Sequence, residues 1–190
     1  ADFTNASGHL SAKLYKEEIE TLMRTSNLAG YQLLGLSDFP GQGTATIGML
    51  NAFWEPKGFV TGEEFRRFVS PTVPLLSLPK FVWKKDEVLK GTVRIAHSGT
   101  SINEQVTWSL WDENNQCLRS GSFGQFDIKS FDENEIGALQ IALTDLPARA
   151  RYQVRVAVGQ HEYLWTIWNF EPEPELPEAT TTKVLHWYRT

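Results

Sequence analysis

The sequence predicts an α+β chain: a short helix-strand-helix segment followed by an immunoglobulin-like β-sandwich. Three features predict it. Apolar residues Leu14, Tyr15, Ile19, Leu22 and Met23 recur at helical intervals near the N-terminus. An apolar run from Gly30 to Leu36 lies between a glycine and the breaker-rich Ser37–Gly43, as a buried strand would. From Val88 onward the apolar period changes to two, in short segments separated by turn signals.

In chain order, Asn5 or Ser7 caps the first helix, which ends near Thr25–Asn27. Lys16, Glu17, Glu18 and Glu20 occupy its wet side. After the strand Gly30–Leu36, residues Thr44 to Trp54 are expected to be helical. Thr61 then opens a further helix through a capping box with Glu64 at the third position. Residues 1–79 therefore read as one α/β unit. In residues 80–171 the strand-like segments are Val88–Ala96, Val106–Trp111, Gln116–Phe126, Ile136–Leu143, Arg151–Val158 and His161–Phe170. Val106, Trp108 and Leu110 share one face, as do Tyr152, Val154, Val156 and Val158. Asp112–Asn115 fits a hairpin connection, because Asn accepts the positive φ of a tight turn. Asp145-Leu146-Pro147 ahead of Tyr152 has the look of a tyrosine corner. Residues 172–190 are an acidic, Pro-rich linker and a short tail. Alternating Pro and Glu cannot pair in a sheet, and the apolar Val184, Leu185, Trp187 and Tyr188 either dock on the sandwich or begin a further domain.

Composition narrows function. Of 190 residues, 41% are hydrophobic and 22% charged, which excludes a disordered or collagen-like chain. A net charge of -5 with no basic stripe argues against nucleic acid or an anionic membrane as partner. No apolar run reaches the roughly 18 residues that a membrane-spanning helix needs. Cys117 stands alone, so no internal disulfide or cysteine zinc site forms, and a buried, inert thiol is expected. His9, His97, His161 and His186 have no metal-site spacing and are expected at the surface or in caps. Neither a cofactor nor a metal is expected. Asp132–Glu135 is an acidic loop, read as a solvated turn ahead of a calcium site. Seven Trp, eleven Phe and five Tyr serve either the core or a stacking surface.

One stretch carries a resemblance. Ala29 through Gly43, with Gly30 at its start and Ser37-Asp38-Phe39-Pro40-Gly41-Gln42-Gly43 at its end, resembles the eighth barrel strand of the β-galactosidase, β-glucuronidase and β-mannosidase family, glycoside hydrolase family two. Leu14–Glu20 looks like the helix before that strand, and Ala45–Trp54 like the final barrel helix. The sandwich sits where the family carries its immunoglobulin-like domain. The sequence departs from the family in having Leu34 and Gly35 where a Trp usually stands.

The resemblance implies the C-terminal part of a retaining β-glycosidase: the end of a (β/α)8 barrel followed by the sandwich. Residues after a barrel strand face substrate, so Asp38, Phe39 and Gln42 are the expected sugar-binding residues, with Asp38 and Phe39 equally suited to a cap and a plug. The two glutamates of such an enzyme, about 5 Å apart, would lie on strands ahead of Ala1. Glu17, Glu18 and Glu20 on the outer helix, and Glu63 and Glu64 in a first turn, cannot replace them. No catalytic residue is thus expected here, and the chain is expected to be inactive alone. Its expected partners are carbohydrate, the remainder of the barrel and, because the strand Gly30–Leu36 needs neighbours, a second copy. The family implies a periplasmic or extracellular setting. A different class also fits: a stand-alone carbohydrate-binding or structural sandwich module, with Trp83, Trp108, Trp111, Trp165 and Trp168 as candidate platforms, Trp111 foremost.

Overall fold

The period-two segments form the strands of a two-sheet sandwich in the computed structural model, which describes residues 2–25, 28–42 and 46–173. Its strands are β1 (Thr72–Ser77), β2 (Val82–Lys84), β3 (Val88–His97), β4 (Ile102–Trp111), β5 (Cys117–Ile128), β6 (Asn134–Ala142), β7 (Ala150–Val158) and β8 (His161–Phe170). One sheet has the order β1-β3-β6 and the other β2-β8-β7-β4-β5. All neighbours are antiparallel except β2 and β8. This is an immunoglobulin-like arrangement.

Alternation does what the pattern requires. Val106 and Leu110 of β4, and Tyr152, Val154, Val156 and Val158 of β7, turn inward and are buried. They meet Val93 and Ile95 of β3, Leu139 and Ile141 of β6, and Trp165 and Ile167 of β8 in one core. The turn between β4 and β5 is held by Asp112, whose Oδ1 accepts the Asn114 and Gln116 amides at 2.9 and 2.8 Å, and Asn115 takes φ 57°. The Tyr152 hydroxyl donates to the Pro147 carbonyl at 2.8 Å, closing the tyrosine corner. β1 carries Pro74 and so gives little strand signal. It is tolerated because β1 is an edge strand.

Two helices complete the described elements: α1 (Asp2–Met23) and α2 (Gly62–Arg67). The capping box of α2 is present: Thr61 Oγ1 accepts the Glu64 amide at 3.1 Å, and the Thr61 amide donates to Glu64 Oε2 at 2.8 Å. α1 begins earlier than Asn5 or Ser7 would set it. Its dry side also differs from expectation, for Leu10 and Leu14 are exposed while Gly8, Ala12, Ile19 and Glu20 are buried.

Glu20 is the main correction on this helix. Instead of facing solvent it is fully buried. Its carboxylate accepts the Trp165 indole N–H at 3.1 Å and pairs with Lys16 at 2.8 Å and Arg24 at 3.4 Å. Arg24 also donates to the Leu76 carbonyl at 3.1 Å. One helical turn therefore ties β8 of one sheet to β1 of the other. The Lys16 ammonium lies 4.9 Å from the Tyr163 ring centre and 5.5 Å from that of Trp165. Burial, then the neighbouring Glu20 charge, push the Tyr163 phenol well above its ordinary range.

Between the helices the barrel-like reading gives way. Residues 28–36 contain no strand, and the backbone pairing nearby is confined to isolated bridges, Ser37 to Leu50 (parallel) and Leu50 to Pro56 (antiparallel). An apolar run becomes a strand only beside neighbours that take its N–H and C=O groups along its length; here the Leu36 carbonyl accepts the Leu50 amide at 3.0 Å, at the end of the run, and no strand lies beside it among the described residues. The expected helix Thr44–Trp54 is also not formed over residues 46–54 (Thr44 and Ala45 lie outside the described residues). Gly48 is pressed against the backbone of Ser37, where a Cβ would come within 2.3 Å. Asn51 Oδ1 takes the Phe53 and Glu55 amides at 2.9 and 3.0 Å, diverting the backbone into a turn. The tail residues Val184, Leu185, Trp187 and Tyr188, and His186, lie outside the described residues.

Removing the Glu20 carboxylate strands two cations against the core. Glu20→Ala is expected to cost about 3–5 kcal/mol and Glu20→Gln, which keeps the bond to Trp165, clearly less, both read by urea denaturation. Tyr152→Phe, which deletes only the corner hydroxyl, is expected to cost about 1 kcal/mol in the same measurement.

Candidate functional site

A concavity lies between the N-terminal half of α1 and the segment 32–59, a cleft of about 1040 Å³. Gly8 makes it. A Cβ at this position would sit 2.3 Å from the Phe59 ring, so only glycine lets the helix lie this close to the loop. The helix contributes Leu14, Tyr15 and Glu18 to one wall; Gln32, Leu33, Leu34, Ile47 and Met49 contribute to the other.

Asp38 stands in this lining with Lys57. Its Oδ1 accepts Lys57 Nζ at 2.6 Å and the Gly48 amide at 2.9 Å, and Lys57 also donates to the Thr46 carbonyl at 3.2 Å. The Lys57 hydrogen bond, with help from the Gly48 amide, holds the Asp38 carboxyl below the usual aspartate range. A carboxylate this committed is charged and poorly basic. It joins residues 36–38 to 46–57 and offers a fixed polar edge beside apolar walls.

The other expected site residues are placed differently. Phe39 is 58% exposed, beside Gly41 and outside the cleft lining. Gln42 ends the 3₁₀ turn Pro40–Gln42, and its side chain lies outside the described residues. Tyr15, Glu18, Gln32 and Lys57 were not singled out from sequence. Lys57 had a signal: residues 28–59 contain three charged side chains, Asp38, Glu55 and Lys57, so the sole Asp had one cation to meet.

Elsewhere the candidates disperse. Trp83 and Trp165 are buried, Trp108 and Trp111 are half-buried, and the Arg155 guanidinium covers the Trp111 ring at 4.3 Å; Trp168 is exposed. Cys117 is exposed rather than buried, because it lies on β5 at a sheet edge. His97 is buried rather than at the surface, its ring bonded to Thr72 Oγ1 at 2.9 Å and the Thr100 carbonyl at 2.7 Å, so the end of β3 is satisfied internally. Among the described residues no three His, Cys, Asp or Glu side chains gather as a metal site, the Asp132–Glu135 loop included. No helix among them is long and apolar enough to cross a membrane.

A family model described as a domain of unknown function (DUF8488) matches residues 87–171, the greater part of the sandwich. No curated protein matches. Similar solved structures include the sporulation control protein Spo0M from Bacillus subtilis, at 14% identity and a TM-score of 0.42, covering 54% of this chain and 51% of that one. They also include a β-glucosidase from Listeria innocua in complex with gluconolactone, at 10% identity and a TM-score of 0.40, covering 52% of this chain and 16% of that one. A third is a glycosyl hydrolase family 2 member from Bacteroides cellulosilyticus, at 16% identity and a TM-score of 0.36, covering 50% of this chain and 13% of that one. The chain thus spans half of the first and a small fraction of the two glycosidases.

The Asp38–Lys57 pair gives the cleft a pH dependence. Because the folded carboxyl titrates below its unfolded value, its stabilisation is fully present above the ordinary aspartate range and is lost as the pH falls through the lowered value. Hydrogen exchange of residues 46–57 is expected to accelerate selectively on acidification into that range, and Asp38→Asn to show the faster exchange already at neutral pH.

Proposed function

We propose that this chain is the C-terminal part of a larger retaining β-glycosidase of the glycoside hydrolase family two kind. In this reading it supplies one wall of the sugar pocket and a sandwich that holds that wall in place. The observation that carries it is the segment 28–36. Its residues have the composition of a buried barrel strand, end in Ser37-Asp38-Phe39-Pro40-Gly41-Gln42-Gly43, and stand with no strand beside them among the described residues. Leu34 is 88% exposed and Gly35 takes φ 86°. Exposed apolar side chains in this segment support a neighbour at this place, and the resemblance of the motif supports a barrel as that neighbour.

Asp38 and Gln42 then meet sugar hydroxyls and Phe39 a pyranose face, with Lys57 holding Asp38 in its charged, accepting form. Hydrolysis itself belongs to two carboxylates that this chain does not provide. One barrel segment cannot enclose a substrate, and Asp38 is held too far below neutrality to act as an acid.

The test is direct. The purified chain is expected to give no turnover of aryl β-galactoside, β-glucoside, β-glucuronide or β-mannoside above background. Measurable hydrolysis, abolished by changing a carboxylate of the cleft such as Glu18→Gln, overturns the reading.

A further inference from the structure

Three charged side chains line the cleft among the described residues: Glu18 on the helix wall, and Asp38 and Lys57 on the wall opposite. The other charges nearby are engaged outside that lining. Lys16 pairs with Glu17 and Glu20, and Glu55 is bonded to Asn51. Two carboxylates against one ammonium leave the cleft with an excess of one negative charge. Tyr15 and Gln32 add uncharged polar groups to the same lining, among Leu14, Leu33 and Ile47.

The one cation is committed. Lys57 Nζ donates to Asp38 Oδ1 at 2.6 Å and to the Thr46 carbonyl at 3.2 Å, and it lies 6.0 Å from the centre of the Phe59 ring. That ring is in turn packed against Gly8 of α1. An anion entering the cleft would have to draw the ammonium from a carboxylate already bonded to it, and breaking such a pair leaves a poorly solvated charge behind. The acceptors are placed differently. Both bonds to Asp38 fall on Oδ1 and Oδ2 takes neither, while Glu18 is exposed. The cleft therefore offers carboxylate oxygens to a hydrogen-bond donor and withholds its ammonium from an acceptor.

We infer that the cleft selects its sugar by charge: it takes a glycosyl unit that donates hydroxyls and carries no carboxylate, and it discriminates against uronic acids. A glucoside and a glucuronide differ only at the sixth carbon, where one has a hydroxymethyl group and the other a carboxylate, so shape is nearly constant between them and charge decides. The hydroxyl donates to a carboxylate oxygen of the lining. The uronate accepts only, and it meets acceptors. With an effective dielectric constant of about 40–80 and a separation of about 6–8 Å, the uncompensated charge weakens uronide binding by about twofold to tenfold. The inference rests on the proposed function in one respect, that the ligand is a sugar.

Amide chemical shifts of the isotope-labelled chain, titrated at neutral pH with methyl β-glucoside and with methyl β-glucuronide, test it. Resonances of residues 46–57 and of the first half of α1 are expected to move with the glucoside and severalfold less with the glucuronide. The gap is expected to narrow as salt is added, because screening acts on charge and not on shape. Asp38→Asn, which leaves Lys57 unneutralised, is expected to turn the preference toward the glucuronide. Glu18→Gln removes the excess charge at an exposed position and is expected to bring the two affinities together; it decides the matter if Asp38→Asn loosens the segment 46–57. Glucuronide binding equal to or tighter than glucoside binding in the parent, no shift of the cleft with either sugar, or a preference that neither variant changes overturns the inference. None of these outcomes bears on the glycosidase reading, which falls to hydrolysis by the chain alone, and that hydrolysis would leave the order of the two sugars to be read in the same titration.

Discussion

One carboxylate organises the N-terminal half of this protein. Glu20 is fully buried, and an isolated charge there would be prohibitive. Its three partners, Lys16, Arg24 and the Trp165 indole, make it tolerable and in doing so fix where α1 lies. The apolar contribution of the helix is modest, since Gly8, Ala12 and Ile19 are its buried companions. Aliphatic contacts this few would let the helix rotate or slide. The bonds to Trp165 on β8 and, through Arg24, to Leu76 on β1 leave it one orientation, a specifying role that buried polar groups fill in some folds. Because α1 is also a wall of the cleft, the sandwich sets the shape of the site through this one residue.

That dependence was hidden from the sequence for a physical reason. A periodicity argument assigns Glu to the wet side, and at Glu17 and Glu18 it is correct to do so. Glu20 escapes it because its partner Trp165 is 145 residues away, and no local pattern records a long-range bond. The sandwich was legible because its signal is local: alternation, a turn residue able to take positive φ, and a tyrosine a fixed distance beyond a proline. The same logic explains β1 and β2, which gave little signal. One carries Pro74, and the other is only three residues long.

The segment 28–54 shows the opposite case, in which the local pattern is clear and the structure does not follow it. Leu33, Leu34 and Leu36 read as a strand because they are apolar and bounded by breakers, but that pattern only states what the chain needs. A strand is a relation between chains of backbone groups, and with no neighbour the run stays irregular. Residues 46–54 fail as a helix for a different reason. Gly48 must approach the Ser37 backbone, and Asn51 offers its side-chain oxygen to the Phe53 and Glu55 amides, so local competitors win over the helix. The Asp38 site was half legible: the residue was visible in its motif, and its lysine was visible only as the lone cation of a charge-poor stretch.

The contrast between the two halves carries the functional argument. In the sandwich each sheet supplies the surface the other needs, so Val154, Val156 and Val158 find Ile95, Leu139 and Ile141 within the same chain. In the N-terminal half the arithmetic does not close. Ile19 and Met49 are buried, yet Leu34, Ile47, Phe53 and Trp54 are not, although a turn made rigid by Asn51 holds the last two in place. The N-terminal half thus combines exposed apolar residues with the charged Glu18, Asp38 and Lys57 of the cleft lining, and it is on this half, not on the self-contained sandwich, that the proposed glycosidase reading rests.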